Sequence, residues 1–161
     1  MRQRLGLVLA LLLMQILPAA AQELKPFVAG SIKEITATRQ GKPFVLGMWS
    51  LTCTHCREEL ALLSDLVKKY PDLDLVLIAT DTPEEEEAIS ATLRQSGLGG
   101  SQAWVFADPF SERLRFEIDP KWHGELPRTY LYDPSHKVQA FSGKPDALQM
   151  EQWLKKYFSR R

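Results

Sequence analysis

Two continuous apolar runs on either side of an amphipathic segment constrain the fold of this chain most. The runs, Phe44–Trp49 and Leu75–Ala79, are typical of strands buried on both faces of a parallel sheet. Between them, apolar residues recur at three- and four-residue spacing from Leu60 to Tyr70, which predicts a helix that Pro71 ends. A strand, a helix and a second strand in this order predict an α/β fold with helices on both faces of the sheet.

Turn and capping residues predict the remaining elements. Thr82, Pro83 and Glu85 have the spacing of a capping box with proline at the first helical position, and Ser31 and Glu34 have box spacing before a brief helix. Apolar patterns predict a strand at 104–106, a helix at 108–116, strands at 128–132 and 137–141, and a helix at 146–158. The last helix is expected to bury four side chains: Leu148, Trp153, Leu154 and Tyr157.

Residues 1–21 have the pattern of a cleaved signal peptide. Arg2 and Arg4 give a positive start, an apolar run covers residues 5–17, and three alanines precede the expected cleavage after residue 21. The run is short against the ~20 residues of a membrane-spanning helix, and an uncleaved anchor is the alternative. The sequence therefore predicts export to the periplasm and one domain over residues 22–161.

The charge of the domain excludes one class of partner. Lys and Arg total 20, two of which lie in the predicted signal peptide, so the domain has 18 basic residues against 20 acidic ones and a formal charge of −2. Its basic residues form no stripe interleaved with aromatic side chains, so no nucleic-acid surface is predicted. The acidic run at 84–87 is interpreted as a first helical turn that complements the helix dipole.

The two cysteines of the chain, Cys53 and Cys56, predict chemistry rather than a structural staple. A disulfide between them would close too small a loop to constrain the unfolded chain much. They lie where the first buried strand passes into a helix, and the free N–H groups of a helix N-terminus stabilise a thiolate. We predict an exposed Cys53 as the attacking thiolate and Cys56, one turn further in, as the buried resolving thiol.

Several segments resemble the exported TlpA/ResA-like branch of the thioredoxin superfamily. Residues 49–56, Trp-Ser-Leu-Thr-Cys-Thr-His-Cys, match its W-x-x-x-C-x-x-C pattern, and residues 125–133, Glu-Leu-Pro-Arg-Thr-Tyr-Leu-Tyr-Asp, are similar to its G-x-P-T-T-F-L-I-D stretch. The helix start at 57–60, the segment 75–116 and the end at 137–157 resemble its helix, its central β–α insertion and its closing hairpin and helix. The resemblance implies a thioredoxin fold, with a central mixed sheet, helices on both faces and that insertion. It also implies a thiol–disulfide oxidoreductase without cofactor or metal.

The resemblance implies further site residues and also shows departures. In the superfamily the proline matched by Pro127 is cis, packs against the cysteine pair, and leaves neighbouring backbone free to pair with a substrate strand. Trp49 belongs to the motif, but Thr52 stands where relatives usually carry Trp. Gly47 takes the position of the buried Asp that accepts a proton in thioredoxin itself. Asp81, beyond the second strand, is the substitute candidate, and an ordinary turn residue is the alternative.

His55 bears on the direction of electron flow. Most reductases of this branch carry Pro or a small residue there, whereas the oxidant DsbA carries Cys-Pro-His-Cys. A histidine in this place can stabilise the Cys53 thiolate and so raise the reduction potential. DsbA also inserts a helical domain before its cis-proline, for which the present segment is too short. The sequence therefore favours a reductase of client disulfides, with a DsbA-like oxidant as the alternative.

Two other functional classes compete with this interpretation. A copper-binding chaperone could use both thiolates with a histidine, but proteins similar to the Sco family have a wider cysteine spacing and a distant loop histidine, for which His123 is the candidate. A peroxiredoxin could use Ser50 in place of its threonine, but Leu46 stands where its proline is required. The resemblance implies protein thiols and disulfides as partners, with a membrane electron donor of the DsbD/CcdA type, and with apocytochrome c or another oxidised periplasmic protein as the client.

Overall fold

The computed structural model describes residues 23–143 and 145–159, so the predicted signal peptide lies outside the described residues. Its strands form one mixed sheet in the order β1-β4-β3-β2-β5-β6. The pairs β1–β4, β4–β3 and β3–β2 are parallel, and β2–β5 and β5–β6 are antiparallel. The strand bounds are Leu24–Phe27 for β1, Phe44–Trp49 for β2, Leu75–Ala79 for β3, Gln102–Phe106 for β4, Arg128–Tyr132 for β5 and Val138–Ser142 for β6.

The helices connect these strands on both faces of the sheet. Their bounds are Ser31–Ala37 for α1, Cys56–Lys69 for α2, Glu86–Gln95 for α3, Ser111–Ile118 for α4 and Ala147–Phe158 for α5. A 3₁₀ turn, Pro83–Glu85, precedes α3 and has the predicted capping box, because Thr82 and Glu85 bond each other's backbone. Within the ranges that the structure covers, no helix is both long and apolar enough to cross a membrane.

Alternate side chains of the central strands enter two separate buried layers. One layer joins Val45 and Leu77 to α2, α3 and α5, and the other joins Leu46 and Ile78 to α1 and α4. Since successive side chains of a strand point to opposite faces, a run that is apolar at every position is what both layers require. The predicted mixed sheet with helices on both faces is confirmed.

Three details of the N-terminal and C-terminal elements differ from the sequence prediction. Strand β1 was not predicted, because Leu-Lys-Pro-Phe has no strand signal of its own and forms through parallel pairing with β4. Helix α1 has no Ser31 capping box: Gly30 is its N-cap, and Ser31 Oγ accepts a hydrogen bond from the Val28 N–H. In α5 the Leu148 side chain is exposed, and Met150 is buried in its place.

Candidate active site

Three segments of the chain meet at one edge of the sheet. The parallel strands β2 and β3 both end there, which brings the cysteine motif next to Asp81. Strand β5 runs antiparallel to β2 and begins at the same edge, with Arg128 opposite Met48. Pro127 therefore precedes β5 at the edge where the cysteine motif follows β2.

The two cysteines form a disulfide with an S–S distance of 2.07 Å and Cα atoms 5.4 Å apart. Cys56 is fully buried, as predicted, whereas Cys53 is half-buried rather than exposed. Helix α2 begins at Cys56 with His55 as its N-cap, so Cys53 precedes the helix. The residues between them form a turn that the Cys56 N–H closes onto the Cys53 carbonyl oxygen at 3.3 Å.

Asp81 anchors the segment that leads from β2 to Cys53. Its side chain is buried and accepts hydrogen bonds from Ser50 Oγ at 2.8 Å and from the Leu51 N–H at 3.0 Å. Ser50 Oγ in turn accepts a bond from the Thr52 N–H at 3.2 Å. The hydrogen bonds of Asp81 are thus directed to the motif segment, and they fix its path up to the residue before Cys53.

The peptide bond between Leu126 and Pro127 is cis, which confirms the predicted isomer. A cavity of about 280 Å³ lies here, lined by His55, Glu58, Glu59, Leu126, Pro127 and Gly143. The Pro127 carbonyl oxygen accepts a hydrogen bond from the Gly143 N–H at 2.8 Å. The cavity therefore brings the middle of the cysteine motif and the cis-proline into one site.

Glu59 is a site residue that the sequence reasoning did not single out. Only 3% of it is exposed, and its Oε1 accepts a hydrogen bond from the Thr129 hydroxyl of β5. Burial raises the pKa of Glu59 to about 7, and the hydrogen bond from Thr129 offsets part of that effect. The available signal was a carboxylate beside Leu60 and three residues after Cys56, on the apolar face of a predicted helix.

Packing explains why the buried carboxyl group comes from a helix and not from β2. A Cβ atom added to Gly47 would lie 3.1 Å from Leu77 Cδ2 and 3.2 Å from Leu63 Cδ1, so no larger side chain fits without displacing both leucines. Gly47 pairs with Thr129 across the sheet, and the hydroxyl of Thr129 holds Glu59. Where thioredoxin has a buried Asp, this chain has Gly47, and the buried carboxyl group of this site is that of Glu59 on α2.

Two other predicted site residues, Trp49 and His123, are not among the residues that line this cavity. Trp49 is 2% exposed and packs in the same buried layer as Cys56. His123 is exposed, and its backbone N–H donates to Glu125 Oε2. Across residues 23–143 and 145–159, no three His, Cys, Asp or Glu side chains are grouped so that they could hold a metal ion.

A comparison with protein-family models places this site in a known family. The model described as the AhpC/TSA family matches residues 18–141, which is more than half of the chain. The chain belongs to the AhpC/TSA family. The match includes the cysteine motif, Asp81, the cis-proline and all strands except the last residue of β6.

Curated relatives of this AhpC/TSA family member are thiol-disulfide oxidoreductases called ResA. The one from Bacillus thuringiensis subsp. konkukian is 29% identical over 119 residues, which cover 73% of this chain and 64% of the relative. The one from Bacillus anthracis is 28% identical over 118 residues, with the same shares covered. The chain thus spans less than two thirds of the length of the curated relatives it matches.

Solved structures establish the fold of this AhpC/TSA family member. A secreted disulfide oxidoreductase of Mycobacterium tuberculosis, homologous to DsbE of E. coli, superposes with a TM-score of 0.58 at 20% identity, covering 74% of this chain and 85% of that one. A thioredoxin-family thiol:disulfide interchange protein of Chlorobium tepidum gives 0.60 at 17% identity, covering 77% and 85%. The predicted thioredoxin fold is confirmed.

Proposed function

We propose that this chain is an exported thiol–disulfide oxidoreductase that reduces disulfides in client proteins through Cys53 and Cys56. The observation that supports it most is the composition of the site: a cysteine pair at a helix start, a buried carboxyl group three residues later, and a cis-proline on the same cavity. The signal-peptide pattern of residues 1–21 supports a periplasmic location.

The proposed reaction has two thiol–disulfide exchanges. The Cys53 thiolate attacks one sulfur of a client disulfide, which forms a mixed disulfide and releases one client thiolate. The Cys56 thiol then loses its proton and attacks Cys53, which releases the second client sulfur as a thiolate and leaves the Cys53–Cys56 disulfide. Two electrons pass to the client, and a dithiol donor must return the pair to the reduced form.

Glu59 is the proposed proton acceptor for Cys56. Both side chains are buried, and positions three apart lie on the same face of a helix. A thiolate cannot form readily in such surroundings without a base nearby. A carboxyl group with a pKa of about 7 can accept a proton and release it again near neutral pH.

The short segment before the cis-proline, which has no room for the helical domain that DsbA inserts, supports the reductive direction. A dithiol donor of the membrane DsbD/CcdA type and apocytochrome c as a client are the proposed partners. A DsbA-like oxidant is the second candidate, because His55 lies at the N-cap of α2 between the two cysteines. A peroxidase using Ser50 has less support, since the Ser50 hydroxyl is already bonded to Asp81.

Trapping of mixed disulfides tests the proposed function and the two cysteine roles. The variant Cys56→Ser should accumulate mixed disulfides with exported proteins, because nothing resolves the bond that Cys53 forms. The variant Cys53→Ser should accumulate almost none, since Cys56 is fully buried. Non-reducing gels followed by identification of the partners provide the measurement, and equal trapping by the two variants would contradict the assignment.

A further inference from the structure

Arg128 directly follows the cis-proline and is buried for a charged side chain, with 12% of it exposed. The sequence pattern of the TlpA/ResA-like branch has threonine at this position, and the cysteine chemistry proposed above gives Arg128 no role. Arginine side chains are mostly exposed in folded proteins, and those that are almost fully buried have their charge paired. Its contacts should therefore explain why a long cation follows the proline here.

The guanidinium group of Arg128 has contacts in three directions. Its Nη2 donates to Asp119 Oδ2 at 2.7 Å. Its Nη1 donates to Ser142 Oγ on β6 and lies 3.5 Å from Glu125 Oε1. The group also lies 5.1 Å from the centre of the Tyr130 ring, which is within cation–π range. Arg128 thus forms ion pairs with two carboxylates, and its guanidinium group also contacts the Tyr130 ring on the same strand.

The two carboxylates lie at the two ends of one segment, residues 119–127, which we call the proline loop. Asp119 is the C-cap of α4, and Glu125 is the second residue before the cis-proline. Within the loop, Trp122 Nε1 donates to the Glu125 carbonyl oxygen at 2.8 Å, and the His123 N–H donates to Glu125 Oε2 at 3.1 Å. Arg128 therefore connects the start of the loop to its end and to β6.

We propose that Arg128 is a positioning residue that holds Leu126 and Pro127 in the geometry that a client strand needs for docking. The inference rests on the proposed function and deepens it, because it assigns to Arg128 the ordering of the loop beside the client site. Both residues line the cavity on which His55 and Glu59 also lie. Binding of a client there costs less conformational entropy if the residues that form the wall of the cavity are already ordered.

The structure separates this role from the chemistry. Cys53 precedes α2 and Cys56 begins it, whereas the side-chain contacts of Arg128 described above lie in the proline loop, β5 and β6, and its backbone pairs with Met48 of β2. Loss of the guanidinium group should therefore weaken client binding and leave the reactivity of the cysteine pair unchanged. In kinetic terms, KM for a client rises while kcat stays the same.

The variant Arg128→Thr tests this separation with two substrates. One is a disulfide-bonded peptide, reduced in a steady-state assay with dithiothreitol as the electron donor. The other is 5,5′-dithiobis(2-nitrobenzoic acid), a small disulfide with no strand to dock. Because dithiothreitol reduces this compound directly, its rate is measured in a single turnover in which the pre-reduced Cys53–Cys56 pair, freed of dithiothreitol, supplies the two electrons. KM for the peptide should rise about tenfold, the factor that corresponds to one charge-assisted hydrogen bond. The peptide kcat and the rate with the small disulfide should stay within about twofold of the wild-type values.

The controls make each outcome decisive. Arg113→Thr removes a more exposed arginine–aspartate pair, that of Arg113 with Asp108. It should leave the kinetics with both substrates at the wild-type values. A peptide KM for Arg128→Thr near the wild-type value, or an equal loss with both substrates, would overturn the positioning role. If Arg128→Thr does not fold, Arg128→Lys must show the same rise in KM, because one ammonium group cannot reproduce the fork of contacts. Wild-type protein inactive on both substrates would overturn the proposed function itself.

Discussion

The two halves of the site are held by different kinds of interaction. On the motif side, residues 50–59, the polar contacts run to two buried carboxyl groups, Asp81 and Glu59, from hydroxyl and backbone N–H donors. On the proline side, residues 119–127, a guanidinium group lies between two carboxylates. Within the described residues, the two carboxyl groups of the motif side have no ion pair, and on the proline side one guanidinium group is paired with two carboxylates.

This difference assigns different sensitivities to the two sides. Burial raises the pKa of Glu59 to about 7, so the protonation of this side chain changes near neutral pH. On the proline side, removal of one ion-pair partner leaves the other charge without its counter-charge. We expect changes on the motif side to alter proton transfer and redox balance, and changes on the proline side to alter client binding.

Replacement of Glu59 by glutamine should give the largest effect on the motif side. Folding raises the pKa of Glu59 from 4.5 to about 7, so the folded protein holds a proton that the unfolded chain releases between these values. As the pH rises from 4.5 through 7, the free energy of unfolding of the wild type should fall by about 3 kcal/mol relative to that of Glu59→Gln, which has no carboxyl group to titrate at this position. Urea unfolding of both disulfide-bonded proteins at pH 4 and pH 8 measures this difference.

Glu58→Gln is the matched control, because the neighbouring side chain is exposed. It should leave the pH dependence of unfolding as in the wild type. Glu59→Gln should also slow the resolution of mixed disulfides near neutral pH, because the amide cannot accept the proton of Cys56. A Glu59→Gln protein with wild-type pH dependence and wild-type resolution would remove Glu59 from the mechanism.

Replacement of Asp81 by alanine should have the next largest effect. The change leaves Ser50 Oγ and the Leu51 N–H without their buried acceptor, which should lower the unfolding free energy by about 2 kcal/mol. A looser segment before Cys53 should also change the rate at which iodoacetamide alkylates the reduced protein. Asp65→Ala, which removes an exposed pair with Lys68, is the control. An Asp81→Ala protein as stable as that control would mean that the segment does not need its anchor.

The sequence was sufficient for the features that depend on local pattern. The continuous apolar runs of β2 and β3, the Thr82 capping box and the cis-proline all have signals within a few residues, and each prediction is confirmed. Strand β1 has no such signal, because it forms only when β4 supplies a partner. Met150, and not Leu148, has three- and four-residue spacing to Trp153 and Leu154, so the helical period already contained the signal for its burial.

The site residues that were missed depend on contacts between distant parts of the chain. Glu59 was missed because its hydrogen-bond partner, Thr129, is 70 positions away in the sequence and lies beside it only in the folded protein. The partners of Arg128 are only nine and three positions away, but Asp119 and Glu125 lie in a loop whose path no local pattern in the sequence predicts. Asp81 was predicted at the correct place, yet its bonds run to Ser50 and the backbone of the motif segment. Spacing along the chain cannot reveal such partners.

His55 should have the smallest effect of the three motif-side positions. It is exposed at the N-cap of α2 and makes no side-chain capping bond, so its replacement should leave the fold intact. A cation or hydrogen-bond donor near Cys53 favours the thiolate and thus the reduced pair. Loss of that preference by a factor of ten would make the pair more reducing by ~30 mV.

Equilibration with glutathione should therefore give a reduction potential lower by tens of millivolts for both His55→Ala and His55→Pro. The two variants together separate the effect of losing the imidazole from the effect of the stiffer proline backbone. Two variants with the wild-type potential would make His55 a bystander, and the case for an oxidant would then lose the observation that supports it.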